Sequence, residues 1–555
     1  MPPNARPPHR DILIFMTVVS KFHLHDLTPL LPAIRAVIAE VQAADPFTPD
    51  VIQRAFRHHP KPDGGLLNKN LLVRGYRHLV EAGELPHDCA LLKRLQMKPT
   101  RTISGVAPVT VLTKPYPCPG KCIFCPTDVR MPKSYLHDEP GAMRAEQHQF
   151  DPYAQTASRI QTFYENGHNV NKIELLILGG TWSSYRHDYR EWFVHRLFDA
   201  MNGIDSPTLA EAHHRNETAA HRNVGLVIET RPDHVNPTEI QHLRQLGVTK
   251  VQMGAQSLDD RILELNQRGH TVEETRAAVT LLRAAGFKIV LHWMPNLLGA
   301  TPESDYADYQ RLWNDPALRP DELKIYPCSL LANAELYQYW QRGEYTPYDD
   351  PTLVQLVSSC MALTPPYTRI NRVYRDIPAT NIVAGSKLSN LRQVVDTDMT
   401  NRALVCNDIR AREVRDHTID GRTLHLNDYI YATRAGEEHF LSFDTPTGNL
   451  AGFCRLSLPT PTAPDTGQPE LRDTHGQPAA LIREVHVYGP ALDIGNSTPG
   501  HAQHSGLGTR LLHKAEHVAR AAGYGRLAII AAIGTRQYYA SRGYHLAGTY
   551  MVKDL

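Results

Sequence analysis

Long apolar runs are missing from this 555-residue chain. No stretch approaches the roughly 18 uninterrupted apolar residues of a membrane span, so a transmembrane reading is excluded. Charge of one sign is also missing: the formal net charge is +1, and the whole-protein field announces no polyanionic partner. Cysteine is scarce. Eight in a chain of this length are too few for a disulfide framework. No secretion signal is read at the start either, because Met1 to Arg10 is rich in Pro and Arg and the apolar run Asp11 to Ser20 has no small-residue cleavage pattern after it. Internal repeats are absent. These gaps leave a multidomain globular protein of a reducing compartment, with the cytoplasm as its expected location.

The length sets a prior of roughly two to four domains, and the apolar rhythm marks three. From Leu27 to about Leu95, Leu31, Ile34, Ile38 and Val41 recur at helical spacing, so a small helical domain is expected over 1–96. Between Val51 and Arg101 there are ten Lys and Arg against four Asp and Glu. Arg54, Arg57, Arg74 and Arg77 are therefore candidate nucleic-acid-contacting residues, with a solvated helix face as the plain alternative. Over 97–395 short apolar runs alternate with amphipathic stretches: Glu174 to Leu178, Gly225 to Glu229, Lys250 to Met253, Phe287 to Trp293 and Leu323 to Tyr326. That alternation predicts an α/β domain, a partial TIM-type barrel with its functional loops after the carboxyl ends of the strands. Over 396–555, Thr423 to Ala432, His439 to Phe443 and Gly448 to Leu458 read as antiparallel strands, the start of an α+β domain. Residues 459–480, dense in Pro, Thr, Gly and Asp, are expected to be a flexible insertion.

Cys118, Cys122 and Cys125 are spaced CxxxCxxC just after the apolar run Val106 to Leu112. Three thiolates can hold three irons of a [4Fe-4S] cluster and leave the fourth open. In radical S-adenosylmethionine enzymes that open iron takes the methionine group, and an electron then cleaves the sulfonium to a 5'-deoxyadenosyl radical. A structural zinc site would want a fourth Cys or His close by, and the nearest histidine is His137. Gly179 and Gly180 end the strand Glu174 to Leu178, where glycines let backbone approach a ligand. Glu229 ends the next strand, placed for a ribose hydroxyl or an amino group, or for an ion pair with Arg231.

Near the other end, Gln503-His504-Ser505-Gly506-Leu507-Gly508 reads QxxGxG and runs into Thr509 to Ala522, which has one apolar helix face. Backbone amides at such a helix start suit a pyrophosphate. The strand Leu481 to Tyr488 precedes this motif, the strand Leu527 to Ile533 follows its helix, and Tyr538 and Tyr539 come next. The arrangement resembles the coenzyme A loop of GNAT acetyltransferases.

In order along Met97 to Leu555, these motifs resemble one family, the catalytic subunit of Elongator, in its prokaryotic stand-alone form. The segments that carry the resemblance include Arg101 to Val106, Asn266 to His270, Lys324 to Pro327, Arg375 to Pro378, Arg412 to Val414 and Glu484 to Gly489. The resemblance implies a radical S-adenosylmethionine barrel followed by a GNAT acetyltransferase domain. It also implies a reaction: a deoxyadenosyl radical takes hydrogen from the methyl of acetyl-CoA, the carbon radical adds to C5 of the wobble uridine in a tRNA anticodon loop, and thioester hydrolysis leaves 5-carboxymethyluridine. By the family's pattern Lys172, Glu484, Val485, His486, Val487, Leu507, Gly508, Thr509 and Tyr539 bind acetyl-CoA, with Gln503 and Gly506 in the same loop. Lys172 is expected near the radical, and Lys172 and Tyr539 are expected to be catalytic. Tyr539 would protonate the departing thiolate or hold the thioester. An electron-donor protein is an implied partner; Elongator accessory subunits are not. Many prokaryotic members bind zinc through a cysteine-rich segment, but here only Cys406 remains, followed by Asn407 and Asp408, which argues against zinc.

Two other functions compete. A protein lysine acetyltransferase would use the C-terminal domain and keep the cluster as a structural element. A tRNA-binding scaffold would have degenerate sites, whereas the three cysteines and both loop glycines are intact. Hydrolysis of acetyl-CoA only in the presence of tRNA separates these from the radical enzyme.

Overall fold

The computed structural model describes residues 26–415, 419–488 and 506–555, which form two compact units. The first holds residues up to Thr102 together with Ala157–Val170. Its helices Leu31–Ala43, Pro49–His58, Lys69–Glu81 and Cys89–Leu95 start where the sequence supplies a signal. Pro occupies the first turn of two of them, Asn68 accepts the Leu71 N–H at 2.9 Å, and Asp88 accepts that of Ala90 at 2.8 Å. Ile34, Val37, Ile52, Phe56, Leu72 and Leu79 fill the core between them. A Cβ at Gly75 would lie 2.5 Å from Ile34 Cδ1, so glycine permits the close crossing of two helices. His168 joins this unit by accepting from Gln96 Nε2 at 2.7 Å and meeting Thr102 Oγ1 at 2.8 Å.

The second unit spans Ile103–Thr156 and Asn171–Leu555. Its first sheet comprises β1 (Ala107–Leu112), β2 (Lys172–Leu178), β3 (Arg222–Thr230), β4 (Lys250–Gln256), β5 (Lys288–Trp293), β6 (Glu322–Ile325) and, after the short β7 (Leu330–Leu331), β8 (Arg369–Arg372). The order is β1-β2-β3-β4-β5-β6-β8, every pair parallel. Helices cross between the strands, as in a half-barrel. Thr271 with Glu274 and Thr301 with Ser304 make capping boxes on two of these helices, Val272–Ala284 and Pro302–Asn314. The strand β9 (Ile382–Ala384) pairs with β7 in a separate two-stranded sheet. The weakly apolar stretch 204–223 contains a helix, Leu209–Asn216, and the start of β3.

The second sheet comprises β10 (His425–Ala432), β11 (Gly436–Asp444), β12 (Leu450–Pro459), β13 (Ala480–Val487), β14 (Arg526–Ile529), β15 (His545–Ala547) and β16 (Tyr550–Asp554). Its order is β10-β11-β12-β13-β14-β16-β15, with β13 and β14 parallel and the other pairs antiparallel. Helix Leu507–Ala521 covers one face with Leu511, Leu512, Ala515 and Ala519. The expected flexible insertion is instead held in place. Leu471 is buried, Arg472 bridges Pro478, Glu470 accepts the Thr549 N–H at 3.1 Å, and Gln468 Oε1 accepts the Tyr550 hydroxyl at 2.9 Å. Its turn-forming residues satisfy local backbone groups, which their composition alone does not reveal.

A bulge joins the two sheets. Arg455 opposes Glu484 and Leu456 opposes Ile482, so Arg483 is the extra residue on β13, and the bulge re-aims its side chain. The fully buried Arg483 guanidinium donates to both oxygens of Asp321, at 2.7 and 2.8 Å, ahead of β6. It also pairs with Glu438 of β11 at 2.6 Å. Beside it, Glu484 pairs with Lys288 of β5 and with Arg455 at 2.9 Å. Charges this costly to desolvate stay buried only when paired, and these pairs tie one sheet to the other.

Candidate active site

The cysteine loop follows β1 at the carboxyl end of the half-barrel. The Thr113 N–H donates to Leu178 O at 2.9 Å, tying the ends of β1 and β2 together. Cys118 Sγ lies 3.7 Å from Thr181 Oγ1 and accepts the Gly120 N–H at 3.4 Å. Ile123, fully buried, anchors the turn between the other two cysteines: its N–H donates to Asn266 O at 3.3 Å, and its carbonyl accepts from Leu336 at 2.8 Å. Phe124 packs in the same apolar cluster as Leu297 and Leu330.

Two guanidinium groups face this loop. Arg268 donates to Cys122 Sγ at 3.5 Å and to Gly254 O at 2.8 Å. Arg231 spends two nitrogens on Asp233, at 2.9 and 2.8 Å; its Nη1 is buried with no hydrogen-bond partner. A Cβ at Gly120 would lie 2.4 Å from that nitrogen, so only glycine admits it. The Cys122 thiol is pulled down to about 5 by the hydrogen bond from Cys125 and then by the charges of Arg268 and Arg231, while Cys125 is pushed up. Among the described residues no three His, Cys, Asp or Glu gather as ligands of a single metal ion. A [4Fe-4S] cluster takes one thiolate on each of three irons, and Cys118, Cys122 and Cys125 supply three thiols from one loop. Its negative charge would partner the orphaned Arg231 nitrogen.

Gly179 and Gly180 have φ of +137° and +93°, and a Cβ at Gly179 would lie 1.9 Å from Thr113 Oγ1. Glycine is thus required both for the turn and for its contact with β1. Glu229 does not pair with Arg231; its carboxylate lies 3.9 Å from His292 Nδ1. Burial raises its pKa, opposed by the charge of Lys324. The sequence reading missed the layer around it. Glu229 opposes Gln252 on β4, and His292 on β5 opposes Lys324 on β6. Gln252 Oε1 accepts from Lys324 and lies 3.1 Å from His292 Nε2. The available signal was a polar residue inside otherwise apolar strands, a placement that is costly unless the residue is used.

At the other end of the half-barrel β13 and β14 part company: their pairing ends at Ile482 and Ile529, while β13 continues to Val487. Glu484 is committed to Lys288 and Arg455, Val485 and Val487 pack on the second core, and His486 is half-buried with its enclosed Nε2 unpartnered. Burial takes His486 down to about 4. Gln503 lies outside the described residues. Gly506 caps its helix at φ +69°, and Leu507 is buried. A Cβ at Gly508 would come within 2.6 Å of the Tyr538 hydroxyl. Thr509 Oγ1 accepts two bonds from Arg542, both 3.2 Å, and that guanidinium stacks 3.7 Å over the Tyr538 ring. Tyr539 is buried, which raises its phenol pKa and keeps it protonated.

Three expectations need correction. Lys172 opens β2 and Gly179 follows its end, a separation of roughly 20 Å at strand rise, so Lys172 is not beside the cysteine loop. It opposes Arg222, whose Cβ a side chain on Gly534 would meet at 2.6 Å. Gly534 lies in the turn Ile533–Thr535 that leads into the helix Arg536–Ala540 carrying Tyr539, which puts Lys172 at the C-terminal sheet's end. Arg74 is mostly buried, 4.0 Å from Glu165. Arg77 stacks 3.6 Å over Tyr164 and donates to His168 O at 3.3 Å. Both hold helices together, and only Arg54 and Arg57 of the four are exposed. Cys406 donates to Asp408 Oδ1 at 3.3 Å.

Comparison with known proteins agrees with this layout. The Radical SAM superfamily profile matches residues 116–309, and the Radical_SAM C-terminal domain profile matches residues 320–401. The chain is 44% identical over 462 residues to the tRNA uridine(34) acetyltransferase of Dehalococcoides mccartyi, covering 82% of this chain and 99% of that one. It is 36% identical over 482 residues to human Elongator complex protein 3, covering 84% and 87%. Among solved structures, the archaeal Elp3 of Methanocaldococcus infernus with an N-terminal deletion matches with a TM-score of 0.69 and 35% identity, covering 82% of this chain and all of that one.

Proposed function

Because the chain belongs to the family of tRNA uridine(34) acetyltransferases and Elongator complex protein 3, we propose that it converts uridine 34 of tRNA to 5-carboxymethyluridine with acetyl-CoA as carbon source. The observation that supports this reading is that the residues named for the two cofactors gather in two groups, at opposite ends of one half-barrel. The thiols, Gly179 and the Glu229 layer lie at the carboxyl ends of its strands, and the parted strands β13 and β14 lie beyond the amino ends.

Cys118, Cys122 and Cys125 would hold a [4Fe-4S] cluster, which with S-adenosylmethionine supplies a strongly abstracting radical. Arg268 and Arg231 offset the thiolate charge. The Gly179–Gly180 turn opens backbone groups to the methionine end of S-adenosylmethionine, and Glu229 offers a carboxylate to its ribose or amino group. The C-terminal sheet serves as a GNAT-type acetyl-CoA domain. Strand edge 485–487 and the helix start at Gly506–Thr509 receive the pantetheine and pyrophosphate. Glu484 acts by fixing β13 and not by touching the coenzyme. Tyr539, kept protonated by burial, can donate a proton to the leaving thiolate. Lys172 serves the coenzyme from the same end. The tRNA, a low-potential electron-donor protein and a cytoplasmic location complete the proposal; among the described residues no helix is long and apolar enough to cross a membrane.

Anaerobic reconstitution with iron, sulfide, reductant, S-adenosylmethionine, acetyl-CoA and unmodified tRNA tests the proposal. Nucleoside mass spectrometry is expected to find 5-carboxymethyluridine. Active cleavage of S-adenosylmethionine with uridine 34 unchanged would overturn it.

A further inference from the structure

A column of aromatic rings stands beside the cysteine loop with no part in the chemistry above. Tyr116 stacks on Tyr185 with centroids 4.6 Å apart and planes 28° apart. Tyr185 stacks on Tyr189 at 5.2 Å and 23°, and Trp192 follows at 5.6 Å and 38°. The inner ring is fixed: the Tyr185 hydroxyl lies 2.7 Å from Thr113 Oγ1 and donates to Lys114 O at 2.8 Å. Those are the residues that lead from β1 into the cysteine loop. The outer ring is open, with Trp192 44% exposed on a helix whose next residue, Phe193, is fully buried. Lys114, exposed, places its ammonium 4.8 Å over the Tyr189 ring. From Thr113 to Thr127 the loop contains Lys114 and Lys121, both exposed, and no Asp or Glu.

From this juxtaposition we propose that Trp192, Tyr189 and Lys114 form a platform on which an unpaired nucleobase of the RNA substrate stacks, its phosphate facing Lys114. The inference rests on the tRNA-modifying reading and adds a binding site to it. Rings are favoured surfaces for single-stranded bases because every base has a π-face, and an ammonium beside them serves the backbone. A rigid inner stack gives the exposed indole little freedom to lose on binding. Because Tyr116, at the inner end of the column, is two residues before Cys118, the platform suits a base near the reacting nucleotide, which must be drawn out of its loop to reach the mouth of the half-barrel.

The test is binding of an unmodified tRNA anticodon stem-loop, with 2-aminopurine in the loop, to the full chain and to W192A, W192F and K114A. W192A is expected to bind about 5- to 100-fold more weakly, and W192F within about twofold of wild type. The 2-aminopurine should be quenched by wild type and W192F but not by W192A. K114A is expected to flatten the salt dependence. Wild-type binding with unchanged affinity and quenching in W192A would overturn the platform alone. Loss of reduction by a flavin or iron–sulfur donor protein in W192A, with RNA affinity intact, would assign the rings to that partner and also overturn it. No RNA binding by the wild type would overturn both the platform and the tRNA-modifying reading.

Discussion

Single residues decide what the mouth of the half-barrel can hold. Gly179→Ala would force a Cβ to within 1.9 Å of Thr113 Oγ1 at a φ of +137°, a conformation that costs of order 1–3 kcal/mol for other residues even without a clash. The variant is expected to assemble its cluster, seen by absorbance, yet form 5'-deoxyadenosine at least tenfold more slowly; wild-type rates would remove the turn from the site. The arginines of the helical unit separate by burial. Arg54→Glu with Arg57→Glu should weaken tRNA binding and flatten its salt dependence. Arg77→Ala should lower the melting temperature of the helical unit, because it loses a stack on Tyr164 and a hydrogen bond to His168, and should leave the salt slope unchanged. Binding titrations across salt, paired with thermal melts, check both. An Arg77→Ala effect on the salt slope would restore that residue to the RNA face.

Elements were legible where the period was clean. The runs Glu174 to Leu178, Lys250 to Met253 and Phe287 to Trp293 lie within or one residue from β2, β4 and β5, since short, mainly apolar runs bounded by polar turns have few other solutions. Pattern could not show Arg74 and Arg77 turned inward, because a cation on a helix reads as solvent-facing until a partner such as Tyr164 or Glu165 arrives from far along the chain. Nor could it show the bulge at Arg483, whose meaning depends on Asp321 from another sheet. The glycine turn at the end of β2 was legible, but its packing against Thr113 was not, and the expected proximity of Lys172 to the radical failed because a strand's two ends are far apart. Arg483→Met should be strongly destabilising, by about 3–5 kcal/mol, because Asp321 and Glu438 lose a shared buried partner. Denaturant melts check this, and a loss below about 1 kcal/mol would show that the bulge does not fix the two sheets.

Across the molecule, buried histidines set the response to acid. Burial takes His168 and His486 down to about 4 and His213 to about 3. Their folded values lie below the unfolded value near 6.5, so the native state binds fewer protons. Stability from this source is full above about pH 6.5 and is lost as pH falls from there through the folded values. Asp321, held far below its usual range against burial by Arg483 and Arg455, contributes stability that is present above about pH 4 and is lost only below it. Melting temperature should therefore decline in two stages, first from about pH 6.5 to about pH 4 as the histidines take up protons and then further below pH 4. His486→Gln should shallow the first stage and leave the second. A flat profile between pH 7 and 5 would contradict the neutral state assigned to these rings.

The two ends of the half-barrel must share one substrate if the proposed function holds, and isotopes can follow it. The reconstituted enzyme would be given acetyl-CoA with a trideuterated methyl and two labelled carbons, S-adenosylmethionine, reductant and unmodified tRNA. Mass spectrometry is expected to find one deuterium in 5'-deoxyadenosine and both labelled carbons on C5 of uridine 34. The same label is expected to appear nowhere in Lys172→Ala or Tyr539→Phe tRNA. Unlabelled 5'-deoxyadenosine, with the acetyl carbons on a protein lysine, would contradict the radical reaction and leave an acetyltransferase in its place.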